Sequence, residues 1–202
     1  TSNPIYAVDK ATGKRGWFCE RISPGCANCY ASKLNVRRGT GHEYLPENRD
    51  KVEFRLHERE LETILRRKKP ARIFIGDMLD LFHDDVPDSF LTEIAVAMNR
   101  AAREVNHTFI LLTKRPKRMG EWLVRMGILP NSQLWCGVSV SNQAEADERI
   151  PVLLDTPATH RWVSLEPQVD PVDLERYLPR KSDCDGCSGP QIGGCDFCHP
   201  ES

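Results

Sequence analysis

Three cysteines lie close together in the first part of the chain, within the stretch WFCERISPGCANCYASKLN. Cys19, Cys26 and Cys29 follow the spacing C-x6-C-x2-C. Pro24 and Gly25 favour a turn, which lets Cys26 and Cys29 face one centre. Thiolates grouped in this way are ligands for zinc or for an iron–sulfur cluster. The spacing therefore predicts a metal site and leaves the identity of the metal open.

Two kinds of metal centre fit three cysteine ligands. A structural zinc ion takes four ligands, so a distant residue such as His42 or His57 has to complete that site. A [4Fe–4S] cluster has four irons, so three thiolates leave one iron with an open coordination position. S-adenosylmethionine can bind such an iron through its amino and carboxylate groups. An electron from the cluster then cleaves the sulfonium and yields a carbon radical, which is the functional interpretation of the site.

A second group of cysteines lies near the end of the sequence. It has the spacing C-x2-C-x7-C-x2-C and consists of Cys184, Cys187, Cys195 and Cys198. Two C-x-x-C pairs can close a tetrahedral site, so structural zinc is the first expectation and a second iron–sulfur cluster is the alternative. The surrounding segment is rich in Gly, Pro and Ser and has no apolar period, so we expect it to depend on its metal for order.

The elements that must position the first site form a regular pattern from residue 71 onward. Short apolar runs alternate with segments whose apolar residues recur at spacings of three and four, which predicts alternating strands and helices. Nearly continuous apolar strands are typical of a parallel sheet buried on both faces with helices packed outside. The apolar runs are ARIFIGDM (71–78), HTFILLTK (107–114), LWCGVSVS (134–141) and HRWVSLEP (160–167).

This pattern predicts an α/β fold. About six βα units favour a full or partial (β/α) barrel, with an open doubly wound sheet as the competitor. We expect a barrel-like domain over residues 1–180 that carries the three-cysteine site. A small four-cysteine metal-binding segment follows over residues 181–202.

In parallel α/β folds the reactive groups gather at the carboxyl ends of the strands. Lys114 and Arg115 open a predicted helix, where they suit the carboxylate of a cofactor or a nucleic-acid phosphate; a solvated basic turn is the alternative. Glu166 could bind the ribose hydroxyls or the amino group of S-adenosylmethionine, or form a salt bridge at the rim. The candidate cofactor-binding residues are Asp77, Lys114, Arg115, Ser139, Ser141 and Glu166.

Four further residues have simpler interpretations. We expect His83 to be a satisfied histidine at the surface. Asp84 and Asp85 are expected to cap the helix that opens near Pro87. Cys136 lies within an apolar run and is expected to be a small buried hydrophobic residue.

Charge is divided unevenly along the chain. The formal net charge is -1, but residues 1–70 have 15 Lys and Arg against 9 Asp and Glu, whereas residues 71–202 have 13 against 20. Either the protein has unevenly charged solvated faces, or its basic front half faces an anionic partner. No apolar run approaches the roughly 20 residues that cross a bilayer, so no membrane partner is expected. Cysteines in metal-type clusters favour a reducing, cytoplasmic location.

Several motifs resemble, in order, those of a phage and prophage protein family of unassigned function that has an SPGC-x-x-CYA signature and is regarded as radical-SAM-like. They are GWFCERISPGCANCYASKLN, RIFIGDMLDLFHDDVPD, HTFILLTKRPKRM, WCGVSV with ADERIPVLLDTPA, and RWVSLEP. The resemblance covers roughly residues 16–175. It implies a barrel of radical-SAM type with Cys19, Cys26 and Cys29 as the cluster ligands.

Two functions remain open from the sequence. The first is a radical-SAM-like enzyme that reductively cleaves S-adenosylmethionine, with an electron donor protein and with a nucleic acid or nucleotide as the expected substrate. The second is a non-catalytic zinc or iron–sulfur module of phage origin that binds nucleic acid or protein. Hydrolase chemistry has little support, because the sequence has no G-x-S-x-G, H-E-x-x-H or Walker motif.

Overall fold

The computed structural model describes residues 1–127 and 132–178. The chain divides into two compact units, Thr1–Val172 and Asp173–Ser202. The second unit contributes one 3-10 helix, Glu175–Tyr177, to the described residues. The predicted four-cysteine site lies outside the described residues, at Cys184, Cys187, Cys195 and Cys198.

The N-terminal part of the first unit forms a small antiparallel sheet that the sequence analysis did not predict. Its strands are β1 (Ile5–Asp9), β2 (Arg15–Gly16) and β3 (Val52–Leu56), in the order β2-β1-β3. Helix α1 (Tyr30–Arg38) lies between β2 and β3 in the chain, and α2 (Glu58–Arg66) follows β3. Helix α1 begins directly after Cys29.

The rest of the first unit is built on a parallel sheet of four strands. They are β4 (Arg72–Ile75), β5 (Thr108–Thr113), β6 (Leu134–Ser139) and β7 (His160–Ser164), adjacent in that order. Each lies within one of the four predicted apolar runs, so the α/β class and the parallel sheet are confirmed. On the edge of β4 that does not pair with β5, Ser2 forms a parallel bridge with Ile75. Among the described residues the sheet stays open, and no barrel closure is seen.

Three helices connect the parallel strands. They are α3 (Asp88–Val105), α4 (Pro116–Arg125) and α5 (Gln143–Asp155). Because the strands are adjacent in chain order, right-handed crossovers place all three helices on the same face of the sheet. None of the helices in residues 1–127 and 132–178 is long and apolar enough to span a membrane.

The two faces of the parallel sheet differ in burial. On the helix-covered face, Ile75, Leu111 and Val138 are almost completely buried. On the other face, Phe74 and Trp162 are only partly buried. The expectation of burial on both faces was therefore wrong for the second face, because the connecting helices all lie on the first.

A glycine in β6 allows an aromatic side chain to lie against the sheet. A Cβ atom at Gly137 would overlap the indole ring of Trp162 on the neighbouring strand. The ring also meets Phe74 edge to face, with 6.4 Å between ring centroids. Gly137 therefore provides the space that Trp162 fills on the partly buried face.

Gly137→Ala is expected to destabilise the first unit by about 1–3 kcal/mol, because the added methyl group displaces a packed indole. The free energy of unfolding in urea is the measurement. Gly120→Ala in α4 is the matched control, since its Cβ would meet only the hydroxyl of Thr156 at 3.3 Å. Equal free energies of unfolding for the two variants would contradict the role of Gly137.

Candidate functional site

The three N-terminal cysteines line one cavity together with polar residues from the strand ends. The cavity has a volume of about 450 Å³. It lies where β4, β5, β6 and β7 end, as expected for a parallel sheet. The predicted site residues that line it are Cys19, Cys26, Cys29, Asp77, Lys114, Arg115, Ser139 and Glu166.

Two consecutive tight turns hold Cys26 and Cys29. Cys26 ends a 3-10 helix, Pro24–Cys26, and its amide donates to the carbonyl of Ser23 at 3.0 Å. The amide of Cys29 then donates to the carbonyl of Cys26 at 3.2 Å. These turns bring both cysteines to the cavity wall, which agrees with the turn predicted from the proline and glycine.

Gly25 brings the cysteine loop close to the end of β6. Its Cβ, if it had one, would lie 2.9 Å from the Cβ of Ser141, a distance that side chains do not tolerate. Gly25 is itself buried. Gly25 therefore allows the loop to pack closely against the sheet. It also favours the turn that was predicted from the sequence.

The position of Cys19 is fixed by its neighbour in the chain, Phe18, which is buried in the core. Phe18 is fully buried and packs against the rings of Tyr44 and Phe54. Burial, with a smaller contribution from the nearby carboxylate of Asp80, raises the pKa of the Cys19 thiol to about 12. Cysteine nucleophiles have lowered pKa values, so Cys19 is poorly suited to be one. A metal ion, in contrast, deprotonates a coordinating thiol.

The two histidines considered as a fourth zinc ligand lie elsewhere. His42 Nε2 is 2.6 Å from Asp9 Oδ2, and hydrogen bonds from Thr12 and then from His42 lower the pKa of Asp9 to about 2. The ring of His57 packs edge-on against Tyr6. Neither histidine lines the cavity. Within the described part of the chain, no group of three or more His, Cys, Asp or Glu side chains is arranged around a single ion position.

Asp80 fastens the loop after β4 to the end of β5. Its carboxylate is buried and accepts hydrogen bonds from Thr113 Oγ1 at 2.7 Å and from the amide of Lys114 at 3.1 Å. It also accepts from the amide of Phe82 at 3.0 Å. Asp80 therefore accepts hydrogen bonds from two loop amides and one hydroxyl.

Arg115 joins Asp80 to the cysteine loop. Its guanidinium lies 3.3 Å from Asp80 Oδ2 and 3.4 Å from Glu20 Oε2, and Glu20 directly follows Cys19. Asp84 is a third neighbour, at 3.6 Å. Three carboxylates therefore engage the cation that the sequence assigned to an external anion. Arg115 lines the cavity as a structural cation.

Lys114 is the cavity cation that has no acidic partner within the described residues. Its Nζ donates to Ser139 Oγ at 2.8 Å. Both side chains line the cavity, and Ser139 is almost completely buried. A charged ammonium held by one neutral hydroxyl is free to bind a carboxylate or a phosphate.

The acidic side of the cavity is formed by Asp77 and Glu166. Asp77 Oδ1 accepts from the side chain of Asn3 at 2.5 Å. Glu166 is exposed and has no hydrogen-bond partner among the described residues. Ser164 also lines the cavity, although the sequence analysis missed it. Its position two residues before Glu166 places both on the same side of the strand, and that alternation was the available signal.

Ser141 lies outside the cavity, contrary to the sequence expectation. Its amide and its hydroxyl both donate to Glu145 Oε2, at 2.8 and 3.0 Å. The side chain of Asn142 accepts from the amide of Glu145 and caps α5. Ser141 is therefore used in starting the helix that follows β6, and it is not available to a cofactor.

Three other expectations about the loop after β4 were wrong. His83 is fully buried and packs against Phe18 and Phe54, so it is not a surface histidine. Neither Asp84 nor Asp85 caps α3, whose N-cap residue is Pro87 with no side-chain cap. Asp85 forms an ion pair with Arg49. Cys136 is fully buried in β6, as predicted.

Burial, together with the cation of Arg115, lowers the pKa of His83 to about 4. The unfolded chain binds a proton at this histidine below about pH 6.5, whereas the folded chain does so only near pH 4. The free energy of unfolding should therefore fall as the pH drops through that window, by about 3 kcal/mol at pH 4. Urea denaturation at a series of pH values measures it.

His83→Asn is the comparison, because its amide oxygen can replace Nδ1 in accepting from the amide of Asp85. This variant should show a flatter pH dependence between pH 6.5 and 4. Identical pH profiles for the two proteins would mean that His83 titrates normally in the folded state.

Comparisons with known proteins complete the description of the site. Searches of curated proteins and of solved structures gave no match. The family described as "Protein of unknown function (DUF5131)" matches over residues 10–198, a range that includes both cysteine groups and every residue of the cavity named above. Since this match covers most of the chain, the protein belongs to the DUF5131 family.

Proposed function

We propose that the protein is an iron–sulfur enzyme of radical-SAM type. In this proposal Cys19, Cys26 and Cys29 hold a [4Fe–4S] cluster, and the cavity binds S-adenosylmethionine beside it. The observation that carries the proposal is that the three cysteines and the strand-end polar residues line the same cavity. When both groups are bound, the cluster supplies the electron that cleaves the sulfonium of S-adenosylmethionine. A separate donor protein is the source of that electron.

The donor set favours a cluster over a zinc ion. Three thiols come from one short loop, and the two histidines that could complete a zinc site are held by Asp9 and by Tyr6. Three thiolates on a four-iron cluster leave one iron for a ligand from the cavity. The buried environment of Cys19 suits a metal-bound sulfur better than a free thiolate.

The cavity residues match the polar groups of S-adenosylmethionine. Lys114 offers a positive charge for the carboxylate, and Ser139 holds that ammonium in place. Glu166 offers an acceptor for the amino group or the ribose hydroxyls. Phe74 and Leu112 also line the cavity and suit the apolar faces of the ligand.

The sheet supports the same assignment at the level of the fold. Four parallel strands in chain order, with helices on one face, are the arrangement expected of a partial (β/α) barrel of radical-SAM type. The partly buried face with Phe74 and Trp162 corresponds to the inside of such a barrel. The resemblance of the cysteine motif to the phage and prophage family agrees with this proposal.

The C-terminal cysteines extend the proposal to a second metal. Cys184, Cys187, Cys195 and Cys198 supply four thiolates, which close a tetrahedral zinc site without an open position. Zinc here has a structural role, and the chemistry remains at the first cysteine group.

Cys26→Ala is expected to abolish the brown colour and the iron and sulfide content of protein purified without oxygen, because two thiolates hold the cluster poorly. Cys136→Ala is the matched control, since that thiol is buried in the core away from the cavity. Metal analysis and the electron paramagnetic resonance spectrum are the measurements. Iron loss equal to that of Cys26→Ala in the control, or a wild-type protein that contains only zinc, would contradict the cluster. Cys187→Ala should lose zinc and keep iron.

Lys114→Met is expected to weaken S-adenosylmethionine binding about tenfold to a hundredfold while the cluster is retained, because the ligand carboxylate loses its charged partner. Calorimetry on the iron-loaded protein measures the affinity. Lys117→Met is the control, since Lys117 lies on α4 but does not line this cavity. Methylthioadenosine, which has no carboxylate, should bind Lys114→Met and wild type equally. An equal loss for both ligands would show that Lys114 acts on the fold and not on the carboxylate.

A further inference from the structure

The excess of positive charge in the front half of the chain comes from one segment. Residues 10–42 contain seven Lys and Arg and one acidic residue, Glu20, which gives a balance of +6. Residues 1–9 contribute -1 and residues 43–70 contribute +1, so this segment accounts for the whole excess. The same segment carries the three cysteines of the cavity.

The charges of this segment are separated by sign in the folded protein. The acidic residue, Glu20, is turned toward the cavity and is engaged by Arg115 and Arg49. The cations are exposed, and none forms an ion pair within the described residues. We call five of them the basic surface: Lys14, Arg21, Lys33, Arg37 and Arg38. Arg15 is left out because its guanidinium covers the ring of Tyr6.

Contacts with Asn35 bring the two parts of this surface together. The amide of Trp17, next to β2, donates to Asn35 Oδ1 at 2.9 Å. The amide of Thr40, beyond the end of α1, donates to the same oxygen at 3.1 Å. A Cβ atom at Gly16 would overlap Asn35 and the backbone of Gly39 and Thr40, so β2 packs directly against the end of α1. Lys14, which precedes β2, is therefore close to the last turn of α1, whereas the guanidinium of Arg15 lies over the ring of Tyr6, 4.0 Å from its centroid.

An exposed aromatic ring lies between this surface and the cavity. Tyr30 opens α1, is 64% exposed and lines the cavity mouth. Its hydroxyl donates to the carbonyl of Asp77 at 3.1 Å, which fixes the ring position. Arg37 lies seven positions after Tyr30 on α1, so the two residues are about 10 Å apart along the helix axis.

We infer that the basic surface and Tyr30 bind a single-stranded nucleic acid, with phosphates on the cations and one base stacked on the tyrosine ring at the cavity mouth. Unpaired cations along a surface and an exposed aromatic ring are the two parts of such sites. A duplex would hold its bases out of reach of the ring, whereas a single strand can present one to the cavity. Binding of the strand does not depend on the proposed function. Only the role of this strand as the substrate of the cavity rests on it.

An acidic protein fits the surface less well. The cores of protein interfaces are depleted of charged residues, and their apolar area exceeds that of the remaining surface. The basic surface has the opposite composition, because its exposed apolar residues, Ile22 and Val36, are both only 40% exposed among five cations. A strong positive charge of this kind is typical of nucleic-acid interfaces.

Fluorescence anisotropy of the full chain with labelled single strands of about 16 nucleotides tests the inference, with DNA and RNA as separate arms. Arg37→Gln combined with Arg38→Gln should weaken binding about tenfold and reduce the salt dependence, log Kd against log salt, by about 1.4. Arg66→Gln combined with Arg100→Gln is the charge-matched control, since each of these exposed arginines already has a glutamate partner on its own helix. Equal losses in the two double variants would overturn the basic surface.

Tyr30 separates stacking from charge. Tyr30→Ala should weaken single-strand binding about tenfold with an unchanged salt slope. Tyr30→Phe keeps the stacking ring and loses only the bond to Asp77, so it should weaken binding clearly less than Tyr30→Ala does. Duplex binding as tight as single-strand binding, or equal competition by polyglutamate, would overturn the inference. Iron and sulfide are measured on the same preparations. If the protein contains the cluster but does not bind the strand, only this inference is contradicted. If it binds the strand but contains no cluster, only the proposed function is contradicted.

Discussion

The guanidinium of Arg115 between Asp80 and Glu20 is the interaction on which the rest of the site depends. Asp80 belongs to the loop after β4, and Glu20 belongs to the cysteine loop. All three side chains are largely buried, so each charge depends on the others for compensation. Through Asp80 the same network holds the end of β5, at Thr113 and at the amide of Lys114. One cation therefore fixes the cysteine loop relative to the strand ends that supply the polar side of the cavity.

This network also explains why two adjacent cations have different roles. Arg115 has a planar group with several donors, which suits contact with carboxylates from separate segments. Lys114 has a single ammonium at the end of a flexible chain, and it contacts only the hydroxyl of Ser139. The chain thus uses its arginine to hold the site together and leaves its lysine available to a ligand. The sequence around the dipeptide does not show this division, because the carboxylates that engage Arg115 come from other segments, at Glu20, Asp80 and Asp84.

The elements after residue 71 could be predicted because their apolar patterns are local. β5 and β6 lie within the predicted runs, and α4 and α5 match the helical spacing. The antiparallel sheet was missed because β2 has only two residues and because β1 pairs with β3, more than 40 residues away in the sequence. A pattern within a window carries no signal for such pairing.

The candidate site was predictable in its location and less so in its details. The rule that reactive groups collect at strand ends placed Asp77, Ser139 and Glu166 correctly along the cavity. It failed at Ser141, because the start of α5 uses that side chain. The separate expectation of a surface histidine failed at His83, whose burial depends on aromatic residues from two other segments. Side chains with partners far away in sequence are the ones that sequence reasoning misplaced.

In the part of the chain that the structure describes, charged side chains in the interior of the protein have partners, whereas many of those at its surface do not. The buried arginines are engaged by acidic groups, as Arg115 is with Asp80 and Arg149 is with Glu145. The cations of the basic surface are exposed and have no such partner within the described residues. A buried charge without a partner is unstable, so the paired set is explained by folding alone. The exposed set on the basic surface contributes little to folding. Repulsion between unpaired like charges opposes their grouping, and an anion bound from outside the protein offsets that repulsion.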